Sequence, residues 1–112
     1  MNFKIENNEN YTTFRCIFDK LDSLVAPELK ALFLDQSIKG SNTFVVDLSQ
    51  IKYCDSSGLS ALLVGNRILK DKEGQFIIFG LNPMVEKIIN ISQLDTVFNI
   101  FNSEDDALNN LI

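Results

Sequence analysis

The side chains best placed to do chemistry in this 112-residue chain lie in one run, Asp55-Ser56-Ser57-Gly58-Leu59. Two adjacent hydroxyls follow a carboxylate and precede a glycine. They sit where Ile51-Lys52-Tyr53-Cys54 gives way to the helical periodicity of Leu59, Leu62, Leu63, Val64, Ile68 and Leu69, which runs to about Lys70. The first N–H groups of a helix lack intrahelical partners and mark the positive end of its dipole, so an anion such as a phosphate meets ready donors there. The same string also works as a plain helix start, because Asp and Ser are favoured N-caps. On the residues alone both readings stand.

Composition removes most enzymology. With no His, no Trp and two Cys, the chain cannot build a Ser-His-Asp triad, a Cys-His dyad or an ordinary Cys/His zinc site. The five glycines form no phosphate-cradling loop. Ser56 as a nucleophile would need Asp55 or a distant lysine as its base. The expectation is a protein that is not an enzyme and that has no cofactor and no metal. Ten Lys and Arg against fifteen Asp and Glu leave a net charge of −5, and the densest basic pair, Lys70 and Lys72, is answered by Asp71 and Glu73. Nucleic acid and anionic lipid are therefore poor partners, since both demand clustered cations. The unbroken apolar stretches, such as Ala61 to Val64, are far short of the roughly 20 residues that span a bilayer, and the start Met-Asn-Phe-Lys-Ile-Glu has no signal-peptide core. A cytoplasmic protein without membrane insertion is expected, with Cys16 and Cys54 as buried, reduced thiols.

The elements that position the serine run follow from patterning. Hydrophobic residues at 46% and charged residues at 22% allow an ordinary core, and the length suits one domain over residues 1–112. Residues 3–7 and 11–18 flank Asn8-Glu9-Asn10 and predict an antiparallel hairpin. Ala26-Pro27-Glu28 starts a helix with Leu29, Leu32 and Phe33 facing inward, and Lys39-Gly40-Ser41-Asn42 ends it. The run Thr43 to Leu48 reads as a buried parallel strand, and Phe76 to Phe79, after the turn Asp71 to Gly74, as a second. Asn82-Pro83 opens a helix with Val85, Ile88 and Ile89 inward, closing over Ile91 to Asp95. Val97 to Phe101 is an edge strand or extended segment, and Ser103 caps a last helix docked by Ala107, Leu108 and Leu111. The order β-β-α-β-α-β-α-β-α is that of an α/β fold. A mixed sheet of four to five strands packs with about four helices, the hairpin first and right-handed βαβ crossovers after it.

These signposts, in this order, resemble the STAS domain family, whose type members are bacterial anti-sigma factor antagonists. The likeness rests on Ala26-Pro27-Glu28-Leu29, Val45-Val46-Asp47-Leu48-Ser49, the core from Tyr53 through Asp55-Ser56-Ser57-Gly58-Leu59, Phe76 to Leu81 with Asn82-Pro83, and the stretch from Ser92 to Leu108. It implies that Ser56 is the hydroxyl a cognate serine kinase phosphorylates. That kinase is itself the anti-sigma factor, and a serine phosphatase reverses the modification. Docking is expected to involve Asp22, Asp55, Ser57, Gly58 and Leu59, with Asn66 and Arg67 as further candidates. Ser57 would cap the helix while Ser56 faces outward; Gly58 would admit a partner backbone or ease the turn; the two acids would dock or stand solvated. Two departures are Asp19-Lys20-Leu21-Asp22, where the family usually has Gly-Glu-Leu-Asp, and Ser60, where many relatives have glycine. The alternatives are a non-switching adaptor subunit, for a lipid-transport ATPase or a sensory scaffold, and a module binding a small ligand or nucleotide at the helix N-terminus.

Overall fold

Strand-forming aromatic and β-branched runs separated by capped helices build the chain in a computed structural model that describes residues 2–111. In order they are β1 (Phe3–Asn7), β2 (Thr12–Cys16), β3 (Lys20–Leu21), α1 (Ala26–Ile38), β4 (Thr43–Asp47), β5 (Tyr53–Cys54), α2 (Ser56–Asp71), β6 (Gln75–Phe79) and α3 (Pro83–Ile91). A short 3-10 turn (Leu94–Thr96), β7 (Asn99–Phe101) and α4 (Glu104–Asn109) complete it. Five strands form one sheet in the order β1-β2-β4-β6-β7. β1 and β2 are antiparallel; the pairings β2–β4, β4–β6 and β6–β7 are parallel.

Alternation along the strands sorts the core into two layers. Phe14, Phe44, Val46, Phe76 and Ile78 face α1, α2 and α3, while Val45, Ile77 and Phe79 face Ala107 of α4. Phe33 of α1 stacks on Phe44 with ring centroids 5.4 Å apart, and meets Phe14 and Phe76 edge-on at 4.9 and 5.6 Å. α2 lies close against this cluster because Gly65 has no Cβ: one built there would come within 2.7 Å of the Phe33 ring and 2.6 Å of the Phe76 ring. On the α4 side Arg15 ties four elements together. Its guanidinium donates to Glu6 at 2.9 and 3.0 Å, Asp47 at 2.9 Å and Glu104 at 2.8 and 3.2 Å. The guanidinium is held more firmly protonated than usual, and its hydrogen bonds draw the Glu6 carboxyl below the ordinary range.

The expected mixed α/β architecture is present, with three differences of detail. β3 and β5 form a separate parallel ladder, Lys20 beside Tyr53 and Leu21 beside Cys54. Each strand is two residues long, too short for a periodic signal. β2 stops at Cys16, and Phe18 turns back to meet Phe3 edge-on at 5.0 Å. The last strand begins at Asn99 rather than Val97, because the Val97 and Phe98 N–H groups both donate to the Leu94 carbonyl at 3.0 Å.

Candidate functional site

The β3–β5 ladder is the platform for the serine run. Lys52 and Tyr53 donate their N–H groups to the Asp19 carbonyl at 2.7 and 3.2 Å, and Asp55 donates to the Leu21 carbonyl at 3.2 Å. Asp55 is extended, and its carboxylate accepts the Gly58 N–H at 3.0 Å, which makes it the N-cap of α2. Ser57 was expected in that role. The cap needs an extended residue just outside the helix, whereas Ser57 already lies within it and is half-buried. Because the Asp55 carboxylate occupies the start of α2, a free anion there would meet a like charge, and an open small-ligand site finds no support.

Gly58 and Leu59 face inward, so neither offers a side chain for docking. Leu59 is 8% exposed and belongs to the core. A Cβ on Gly58 would overlap the Leu21 carbonyl oxygen and approach Cys54 Sγ to 2.7 Å. The space that glycine leaves is filled by this chain's own β3, not by a partner. Asp22 is half-buried and shapes the turn into α1: its carboxylate accepts the Leu24 N–H at 3.0 Å, and its carbonyl accepts Val25 and Ala26 at 3.2 and 2.9 Å. Asn66 and Arg67 lie about 15 Å along α2 from Ser56, at the 1.5 Å rise per residue of a helix, and are not brought to it.

What remains at the surface is Ser56, the first helical residue. It is exposed, and its hydroxyl makes no hydrogen bond among the described residues. The adjoining elements carry exposed apolar side chains that sequence reasoning did not single out as docking residues. Tyr53 on β5 is 46% exposed, Leu24 before α1 is 87% exposed, and Met84 on α3, which packs against β5, is 53% exposed. Lys20 stands beside Tyr53 in the ladder and is exposed as well. The only local hint in the sequence is that Met84 falls outside the inward stripe of its helix and Leu24 precedes the helical pattern altogether. Both cysteines are free and buried. Burial pushes each thiol up, Cys54 to about 12 with the Asp55 carboxylate adding to the effect, so neither serves as a nucleophile at neutral pH.

Among the described residues no cluster of His, Cys, Asp or Glu could hold a metal ion, and no helix is long and apolar enough to cross a membrane. A family model described as STAS domain matches residues 2–107. An anti-sigma-B factor antagonist of Listeria monocytogenes is 27% identical, with 98% of each chain covered. Two solved structures share the fold. The anti-sigma factor antagonist SpoIIAA in its unphosphorylated form superposes with a TM-score of 0.82 at 22% identity, over 96% of this chain and 93% of that one. The Bacillus SpoIIAA in its phosphorylated form gives 0.74 at 22% identity, over 96% of each.

Proposed function

From the premise that this chain belongs to the STAS domain family, we propose that it is an anti-sigma factor antagonist whose docking is switched by phosphorylation of Ser56. The observation that carries the reading is the exposed, unengaged Ser56 hydroxyl at the start of α2, with exposed apolar side chains on neighbouring elements. Names support it too: the Listeria relative is an anti-sigma-B factor antagonist, and SpoIIAA has structures in phosphorylated and unphosphorylated forms.

The unphosphorylated protein docks on an anti-sigma factor that is also a serine kinase, and a sigma factor is thereby released. Tyr53, Leu24 and Met84 supply apolar contact, Asp22 and Asp55 hold the two turns that carry it, and Ser57 lies just beneath. The kinase then transfers the γ-phosphoryl group of ATP to the Ser56 oxygen, ADP leaves, and the hydroxyl proton passes to a base of the kinase. The phosphate adds about −1.5 to −2 charges and three acceptor oxygens. At the first turn of α2 the helix dipole favours that charge by roughly 0.3–1 kcal/mol, which offsets repulsion from Asp55, and on the exposed Ser56 the phosphate stays hydrated, so the fold tolerates it. A docked interface does not: drying the phosphate beside Asp55 costs about 3–5 kcal/mol, or roughly two to four orders of magnitude in affinity. A serine phosphatase restores the docking form by hydrolysis. The protein acts in the cytoplasm as substrate and binding partner, not as an enzyme.

The test is partner affinity and phosphate incorporation for the wild type, Ser56→Ala and Ser56→Asp. The alanine variant should dock normally and gain no phosphate by mass, and the aspartate variant should dock weakly. Equal affinity of all three forms for the anti-sigma factor would sink the switch and favour a non-switching adaptor.

A further inference from the structure

We propose that the free edge of β1 is a self-association surface, on which a second copy of this chain adds its own β1 antiparallel about a two-fold axis through Ile5. Backbone phase comes first. Residues of an antiparallel strand alternately point their N–H and C=O groups toward the partner strand and away from it. The bonds from Ile17 N–H to the Asn2 carbonyl and from Asn8 N–H to the Tyr11 carbonyl, both 2.9 Å, bracket the hairpin and set that phase. With Phe3 opposite Cys16 and Asn7 opposite Thr12, Lys4 and Glu6 turn their backbone groups to β2. Phe3, Ile5 and Asn7 therefore turn theirs to the open edge, which no other strand covers among the described residues.

Side chains then select the register. A two-fold axis through Ile5 sets Phe3 against Asn7 and Ile5 against Ile5, the residues whose outward groups can exchange hydrogen bonds. It also sets Lys4 of each copy against Glu6 of the other, at the closer, non-hydrogen-bonded spacing where opposite charges attract. Sliding one copy by two residues in either direction places Lys4 against Lys4 or Glu6 against Glu6. Glu6 is already oriented on the sheet by Arg15, and Lys4 Nζ stands 3.6 Å from it. Edges are commonly guarded by a lone lysine, a proline or a bulge. Here the lysine has its complement two residues on, and the register with β2 is unbroken. On the helix face the two Ile5 side chains meet beside a groove of about 500 Å³ lined by Phe3, Lys4, Ile5, Ile17, Glu28 and Leu32. Ile17 is 45% exposed and would lose water there. α2 packs over β4 and β6, so this pairing leaves Ser56 open and yields a particle with two docking faces.

An edge this short makes a small interface, so the association is weak and is sought by sedimentation equilibrium between about 10 μM and 1 mM. The wild type should show a concentration-dependent dimer. Lys4→Glu and Glu6→Lys should each weaken it about ten- to hundredfold by replacing two attractive pairs with two repulsive ones. An equimolar mixture of the two variants should recover it, because every cross-strand pair is again of opposite sign. Circular dichroism on each variant reports that the fold persists. A chain that stays monomeric across the whole range overturns the proposal. So does a dimer indifferent to Lys4→Glu, or one abolished instead by Leu34→Glu on the exposed face of α1.

Discussion

Gly58→Ala separates two physical accounts of how the serine run is held. If the first turn of α2 were an ordinary helix start, alanine would stabilise it by up to about 1 kcal/mol through its higher helix propensity. Tertiary contact predicts the opposite sign. The added Cβ falls on the Leu21 carbonyl oxygen, 2.7 Å from Cys54 Sγ and 2.8 Å from Leu21 Cγ. The carbonyl cannot swing aside, because it belongs to β3 and accepts the Asp55 N–H. The turn must therefore lift. Overpacking costs roughly 1–3 kcal/mol, and weakening the Asp55–Leu21 bond costs a further 0.5–1.5 kcal/mol or so. Set against the propensity gain, the net loss is about 1–3 kcal/mol, seen as a fall in Tm of roughly 4–12 °C for a domain of this size. Urea unfolding of the variant beside the wild type, with the m-value compared, provides the assay. A Gly58→Ala protein as stable as the wild type or more so would refute the argument. Partner affinity should fall as well, since Ser56 rides on the turn that moves.

Removing the α2 cap with Asp55→Ala should cost about 1 kcal/mol, measured by the urea midpoint at unchanged m. The Glu6 carboxyl lies below its ordinary value of 4.5 in the folded chain, chiefly through the Arg15 hydrogen bonds. Its contribution is thus present above about pH 4.5 and lost as the pH falls through the folded value; Glu6→Gln should flatten the acid limb of the Tm–pH curve. The buried thiols are raised above their ordinary 9.0, so they favour the folded state below that pH and cease to do so as the pH climbs past it. Both should resist a thiol reagent at about pH 8 until urea unfolds the chain; labelling at the rate of the unfolded chain would contradict their burial. Arg15→Met leaves Glu6, Asp47 and Glu104 facing one another and should loosen α4, read as faster amide exchange over residues 104–109.

Much of this molecule was legible in the residues because its signals are local. Pro27, Asn82-Pro83 and Ser103 announce helix starts through groups a few bonds away, and Phe44 to Val46 and Phe76 to Phe79 announce buried strands by continuous apolarity. The exchange of roles among Asp55, Ser57 and Gly58 was not legible. Asp and Ser cap helices equally well, and only the β3–β5 ladder, which joins segments far apart in the chain, decides which one sits outside the helix. The same is true of Arg15, whose carboxylates come from β1, β4 and α4.

By itself the sequence determined the order of the longer elements, the absence of histidine chemistry and the presence of a hydroxyl pair at a strand-to-helix junction, since each depends only on residue type and spacing. The tertiary structure alone decided that Gly58 and Leu59, expected at the docking surface, face the core beneath the exposed Ser56. A helix start presents several faces, and which of them meets solvent depends on what packs behind it: here the Leu21 backbone and Cys54.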